Sequence, residues 1–135
     1  MKNILVDMSA TLLHHGHIRL LKKASKFGKV IVALTTDKEI RKSKGYIPEL
    51  NFNQRKEILL GIKYVSEVIS SKWLINEKFL KKNKIDYLVH GNDCPNPVSI
   101  AKKIIFKRTR GISSNDIRER VLNNLKKNNN FSKIS

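Results

Sequence analysis

The sequence predicts an α/β fold: a Rossmann-like open parallel five-stranded sheet with helices on both faces, in a single domain. Three observations predict it. Apolar runs without polar alternation, such as "VIVAL" at 30–34, read as strands buried on both faces. Helical patterns separate these runs, and alternating strands and helices imply parallel pairing with right-handed crossovers. At 135 residues the chain is long enough for one three-layer core and too short for two.

The elements follow in order. "ILV" at 4–6 is the first strand. Ile18, Leu20, Leu21 and Ala24 then recur at helical spacing after a histidine cluster, with Gly28 as the expected stop. The second strand is 30–34, followed by a polar segment from Thr35 to Lys44. Asn51 or Asn53 caps a helix carrying Ile58, Leu59 and Ile62. "EVIS" at 67–70 is a third strand, and Phe79 and Leu80 mark a short helix ending near Asn83. Strands at 85–90 and 103–106 complete the sheet. Ser113 or Ser114 caps the last helix, with Ile117, Val121 and Leu125 as its apolar positions. Residues 1–125 form the domain, and 126–135, rich in Asn and Lys, form a flexible basic tail.

Composition bounds the function. The lone Cys94 leaves no internal disulfide and no multi-cysteine zinc site, and no apolar run is long enough to span a bilayer. The N-terminal "MKNILVD" lacks the features of a signal peptide, so a cytoplasmic protein without membrane association is expected. The net charge of +17 points toward a polyanionic partner. However, 21 of the 28 basic residues are Lys, scattered over helix faces and the tail. Such spread suits solvated surface and a phosphate-rich small substrate better than a nucleic-acid groove.

In open parallel sheets, ligands bind beyond the carboxyl ends of the strands. The polar clusters after strands one, two, four and five all fall on that edge. The first holds His14, Gly16 and His17 where a strand gives way to a helix. Histidines three apart share a helical face, glycine lets an anion approach the backbone, and the helix N-terminus favours negative charge. Imidazoles so placed can donate to phosphate oxygens. A capping pair is the bland alternative, and a protein-held metal is not expected because no third ligand has a familiar spacing. The second cluster runs from Arg108 through Gly111 and Ile112 to Ser113 and Ser114, a glycine turn, two hydroxyls and fresh helix N–H groups that make another anion cradle.

Together these residues resemble the cytidylyltransferase-like nucleotidyltransferases. That family's signatures are His-x-Gly-His near the N-terminus and Arg-Thr-x-Gly-Ile-Ser-(Ser/Thr) near the C-terminus. Here they read His14-His15-Gly16-His17 and Arg108-Thr109-Arg110-Gly111-Ile112-Ser113-Ser114. Within the family, the glycerol-3-phosphate cytidylyltransferases and the domain attached to some phosphoenolpyruvate mutases are similar in shape. Met8-Ser9-Ala10-Thr11 departs from the usual Gly-Thr-Phe-Asp, and Gly91-Asn92-Asp93-Cys94 departs from Gly-Asp-Asp-Trp.

The resemblance implies roles. His14, His17, Lys44 and Arg108 would be catalytic. Ser9, Ala10, Gly91, Asp93, Gly111, Ile112, Ser113 and Ser114 would join them around the nucleotide, while Asp37, Lys44 and Arg55 would line the acceptor side. It implies transfer of CMP from CTP to a phosphorylated or phosphonate acceptor, with Mg²⁺ carried by the nucleotide phosphates and a homodimer as the assembly. CTP stands ahead of ATP. The alternatives are an adenylyltransferase acting on a sugar phosphate or flavin mononucleotide, and a non-catalytic nucleotide-binding module.

Overall fold

A computed structural model describes residues 1–90, 96–99, 102–107 and 109–128. Its elements are β1 (Asn3–Met8), α1 (His15–Ser25), β2 (Lys29–Thr35), α2 (Asp37–Lys44), α3 (Phe52–Leu60), β3 (Glu67–Ser71), α4 (Glu77–Lys82), β4 (Tyr87–His90), β5 (Lys103–Ile105) and α5 (Ser114–Asn128). The sheet has the order β3-β2-β1-β4-β5, and every pairing is parallel. Chain order runs outward from β1 in one direction and then, from β4, in the other. The crevice between β1 and β4 is therefore the topological switch point.

The unbroken apolar runs are explained by burial on both sides. Ile4, Val6, Val30, Val32 and Leu34 pack with Leu21, Ala24 and Leu59 on one face. Leu5, Ile31, Ala33 and Leu88 pack with Ile75, Leu80 and Ile85 on the other. Alternate residues of one strand thus feed two cores, as the two-residue period of a strand requires.

Local signals set the helix boundaries. Thr36 caps α2, and Gly45 closes it in the left-handed region at φ +78°. Asn51, not Asn53, caps α3 through a reciprocal pair with Gln54. Gly28 is not the stop of α1, which ends at Ser25 with Lys26 as its C-cap. Its role is close approach, since a Cβ there would sit 2.2 Å from the Lys2 carbonyl oxygen where β2 comes alongside β1.

The last helix departs from expectation in two ways. It continues through Asn128, past the point where a flexible tail was expected to begin, and residues 129–135 lie outside the described residues. Its apolar stripe is also only partly covered, with Ile117 and Leu125 half-buried. Val121 is 52% exposed and Leu122 47% exposed, and none of its described side chains is buried.

Candidate active site

A cavity of about 480 Å³ opens at the switch point. The end of β1, the start of α1, Lys44, Trp73, His90 and the start of α5 line it. The sheet edge expected to bind ligand is the edge that carries it.

The first cradle is built by α1's own capping. His14 is the N-cap, and its Nδ1 accepts the Gly16 N–H at 3.0 Å. His17 reaches back, its Nδ1 accepting the His14 N–H at 3.1 Å. This is a capping box made of two imidazoles. A ring nitrogen that accepts a backbone N–H carries no proton, so both rings hold their proton on Nε2. Capping and phosphate binding are therefore not competing readings: the cap fixes the tautomer that leaves Nε2–H as a donor. Burial, reinforced by the neighbouring His14, pulls His17 down to about 4. Burial first and His15 second lower His14. The two rings, 4.0 Å apart between centroids, can thus share a small space as neutral donors without repelling each other as cations. Gly16 matters for a reason beyond anion approach. A Cβ on it would lie 2.7 Å from His14 Cε1 and 2.9 Å from Nδ1.

The second cradle is the start of α5. The Ser113 hydroxyl accepts the Asp116 N–H at 3.0 Å as the cap, and its own proton can still be donated. The Ser114 hydroxyl instead donates to the Leu12 carbonyl at 2.9 Å and accepts the Leu12 N–H at 3.3 Å. It thereby binds the start of α5 to the β1–α1 loop, bringing residues 102 apart in sequence into one site. Gly111 turns at φ +74°, the left-handed region that suits glycine, and Arg120 Nη2 donates to its carbonyl at 2.7 Å.

Ser9, Ala10, His14, His17, Lys44, Ile112, Ser113 and Ser114 all line the cavity. Gly91, Asp93 and Arg108 lie outside the described residues, as does Cys94. Asp37 and Arg55 do not line the cavity as expected. Arg55 is fully buried, and its Nη1 donates to Ser9 O at 2.6 Å and Thr35 O at 2.9 Å. Its Nε donates to Leu50 O at 3.1 Å, and its Nη2 pairs with Asp37 Oδ1 at 2.6 Å. The other Asp37 oxygen accepts the Phe52 N–H at 3.1 Å. Arg55 thus pins the carbonyl ends of β1 and β2 beneath the cavity floor, with four of its five N–H donors engaged by these partners.

Sequence reasoning missed a polar pair at the switch point. One residue beyond the Val6–Val89 register pair, Asp7 Oδ1 meets His90 Nδ1 at 2.5 Å, while Asp7 Oδ2 accepts from Asn96 Nδ2 at 3.0 Å. A carboxylate only accepts, so Nδ1 of His90 carries a proton toward Asp7. The available signal was an acid closing an apolar run in a strand buried on both faces. Trp73, Tyr46 and Arg118 were also missed, lying in irregular segments or on an exposed helix face.

Comparison with known proteins fits this geometry. Residues 10–104 match the family described as cytidylyltransferase-like. The glycerol-3-phosphate cytidylyltransferase of Staphylococcus aureus is 36% identical over 129 residues, covering 90% of this chain and 96% of that protein. The ethanolamine-phosphate cytidylyltransferase of Arabidopsis thaliana is 35% identical, covering 88% of this chain and 32% of that longer protein. Among solved structures, the lipopolysaccharide core biosynthesis protein from Thermoplasma volcanium GSS1 shares the fold with a TM-score of 0.68 and 22% identity, covering 81% of this chain and 98% of that one. With its two histidine donors and its Ser-capped second cradle on one sheet edge, the chain belongs to the cytidylyltransferase-like family, and with it to the nucleotidyltransferases.

Proposed function

We propose that the chain transfers CMP from CTP to a small phosphorylated acceptor and releases pyrophosphate. An acceptor phosphate oxygen attacks the α-phosphorus, the bond from that phosphorus to the bridging oxygen breaks, and pyrophosphate leaves with the electron pair. The observation that carries this reading is the pair of fixed-tautomer imidazoles whose Nε2–H donors stand across one cavity from the N-terminus of α5. Donors held in place before charge develops on the α-phosphate stabilise the transition state more than the ground state.

His14 and His17 would contact the reacting phosphates, with Ser9, Ala10, Gly111, Ile112, Ser113, Ser114 and Arg108 around the triphosphate. Gly91 and Asp93 would lie toward the base. Lys44, which lines the cavity at the end of α2, would bind phosphate on the acceptor side. No protein nucleophile is needed, because alignment and charge neutralisation suffice. Mg²⁺ arrives with the nucleotide as part of the substrate. CTP is preferred to ATP in this reading, which the 36% identity to an enzyme named for its cytidylyl transfer supports. Among the described residues no helix is long and apolar enough to cross a membrane, and the cytoplasm, where nucleoside triphosphates are found, is the location the reading implies. A homodimer belongs to it too, with exposed Val121 and Leu122 on α5 as apolar surface to cover.

The test is pyrophosphate release with each of the four nucleoside triphosphates, Mg²⁺ and glycerol 3-phosphate or another phosphorylated alcohol. CTP should be consumed fastest. His14→Ala and His17→Ala should each lower kcat by ~100-fold or more, the size typical of a lost preorganised donor. Full activity in either variant, or no turnover with any nucleotide and acceptor, refutes the proposal.

A further inference from the structure

Of the imidazoles that line the cavity among the described residues, His90 is held the opposite way round from His14 and His17. Those two accept backbone N–H groups at Nδ1, so neither can take up a proton without giving up its part of the cap. His90 instead directs its Nδ1 proton to the Asp7 carboxylate at 2.5 Å. Its other nitrogen, Nε2, has no protein partner among the described residues, and no buried side-chain nitrogen or oxygen there is left unpaired, so Nε2 opens on the cavity. A ring oriented in this way can be protonated at Nε2, and the carboxylate behind it then pairs with the cation formed.

His90 is continuous with the wall that carries Lys44. The second oxygen of Asp7 accepts from Asn96 Nδ2 at 3.0 Å, and Asn96 Oδ1 accepts the Ile75 N–H at 2.7 Å. Two residues before Ile75, Trp73 donates its backbone N–H to Glu39 of α2 at 3.0 Å, and Lys44, at the end of the same helix, lies 5.6 Å from the centroid of the Trp73 ring. In a displacement at phosphorus the attacking and leaving oxygens stand roughly in line. Pyrophosphate leaving toward the cradles of α1 and α5 leaves the wall of Lys44 and His90 for the acceptor.

Charge around the ring favours a proton only once phosphate is present. Asp7 is the one carboxylate lining the cavity among the described residues. The cations facing the same space are Arg19 and Lys23 from α1, Lys44 from α2, Lys107 beyond β5 and Arg118 from α5, and Tyr46 is the remaining titratable side chain besides the two capping histidines. Before substrate binds, these cations oppose a further positive charge. A phosphate dianion reverses the balance. It only accepts hydrogen bonds, so against Nε2 of a neutral ring two acceptors would face each other, while one proton between them makes a charge-assisted bond.

We propose that His90 is a further catalytic residue, an inference that rests on the proposed transfer of CMP: the acceptor phosphate binds against Nε2, the ring takes up a proton as it does so, and Asp7 holds the imidazolium in place. The added positive charge lies where a dianionic nucleophile must approach an anionic triphosphate. An acceptor oxygen not bonded to His90 forms the bond to the α-phosphorus, the bond to the bridging oxygen breaks, and pyrophosphate leaves with the electron pair. The proton returns to solvent when the product departs. Asp7 is the positioning residue.

The test counts protons. Glycerol 3-phosphate and phosphoethanolamine are titrated calorimetrically, in buffers of different ionisation enthalpy, into protein saturated with a non-hydrolysable CTP analogue and Mg²⁺. At pH ~7.5 a phosphate monoester is already mostly dianionic, its second ionisation lying at about 6, and lysine and arginine do not titrate. At least about half a proton should be taken up per acceptor bound, and the acceptor Kd should rise at least about threefold per pH unit above pH ~7, a full proton giving about tenfold. Nitrogen NMR of isotopically labelled wild-type protein, which has four histidines, should show one ring become imidazolium when acceptor is added. His90→Gln should abolish both the uptake and the pH dependence. In Asp7→Asn the carboxamide can donate to Nδ1, which moves the ring proton to Nε2, so acceptor should still bind but without uptake. No imidazolium in the wild type overturns the inference even where a variant fails to fold. Unchanged uptake in folded His90→Gln, or failure of both acceptors to bind, overturns it too. Uptake at His90 without pyrophosphate release from CTP upholds the phosphate contact and refutes the transfer reaction, whereas turnover without uptake upholds the transfer and refutes the role of His90.

Discussion

Replacing Gly16 with alanine should separate folding from catalysis in this chain. The new Cβ would stand 2.7 Å from His14 Cε1. Carbon atoms settle at about 3.5–4.0 Å, so the ring must retreat by ~1 Å. That retreat stretches the 3.0 Å bond from the Gly16 N–H to Nδ1 beyond hydrogen-bonding reach. Loss of a cap costs ~1 kcal/mol, while the gain in helix propensity from glycine to alanine is up to ~1 kcal/mol. The two nearly cancel, and the thermal midpoint should move by no more than about 4–8 °C, the shift that 1 kcal/mol produces in a domain of roughly 100 residues. Catalysis has no such compensation. A reacting group displaced by ~1 Å can lose ~100-fold in rate. The assay is pyrophosphate release at saturating CTP and acceptor, alongside calorimetric unfolding of the same preparation. A kcat within about threefold of wild type would show that the position of the His14 ring is not coupled to the chemistry and would refute the reasoning, since a placed donor is worth far more than that.

Two further outcomes follow from the same geometry. Arg55→Ala removes a fully buried cation that donates to three carbonyls and to the partly exposed Asp37 carboxylate, so urea unfolding should show a loss of about 2–3 kcal/mol from the acceptors left unpaired; a rise in acceptor KM with stability unchanged would instead restore Arg55 to the acceptor site. His17, pulled down to about 4, makes stability depend on pH in a defined direction. Above pH ~6.5 neither folded nor unfolded chain protonates it, and as pH falls toward 4 the unfolded chain takes up the proton first, so stability drops by ~3 kcal/mol across that window. His17→Gln should lose less stability than wild type over the same range, and equal losses would show that His17 is not held neutral.

The parts of the fold legible in the sequence are those set by local pattern. Val30 to Leu34 could be read as a two-sided strand because every position is apolar, and Asn51 and Ser113 could be read as caps because short polar side chains precede helical runs. Both proposed phosphate cradles were legible for the same reason, each being a short segment leading into a helix. Residues whose meaning depends on distant backbone were not. Arg55 sits in a helix where an arginine reads as surface or ligand-binding, and only folding brings the Ser9 and Thr35 carbonyls to it. The Asp7–His90 pair joins residues 83 apart through parallel register, and Tyr46 and Trp73, which line the cavity, lie in segments with no period to read.

The Ser114 hydroxyl also has a consequence for the order in which the protein acquires activity during synthesis. One side chain closes the proposed phosphate site by joining the start of α5 to Leu12, and that partner leaves the ribosome 102 residues earlier. At about 5–20 residues per second, the histidine end of the site waits roughly 5–20 s for its other wall. During that interval β1, α1 and β2 can already associate, yet no enclosed triphosphate pocket exists to capture nucleotide. A nascent or truncated chain that stops short of Ser114 should therefore bind nucleotide more weakly than the full chain, with competence expected only once the final helix docks.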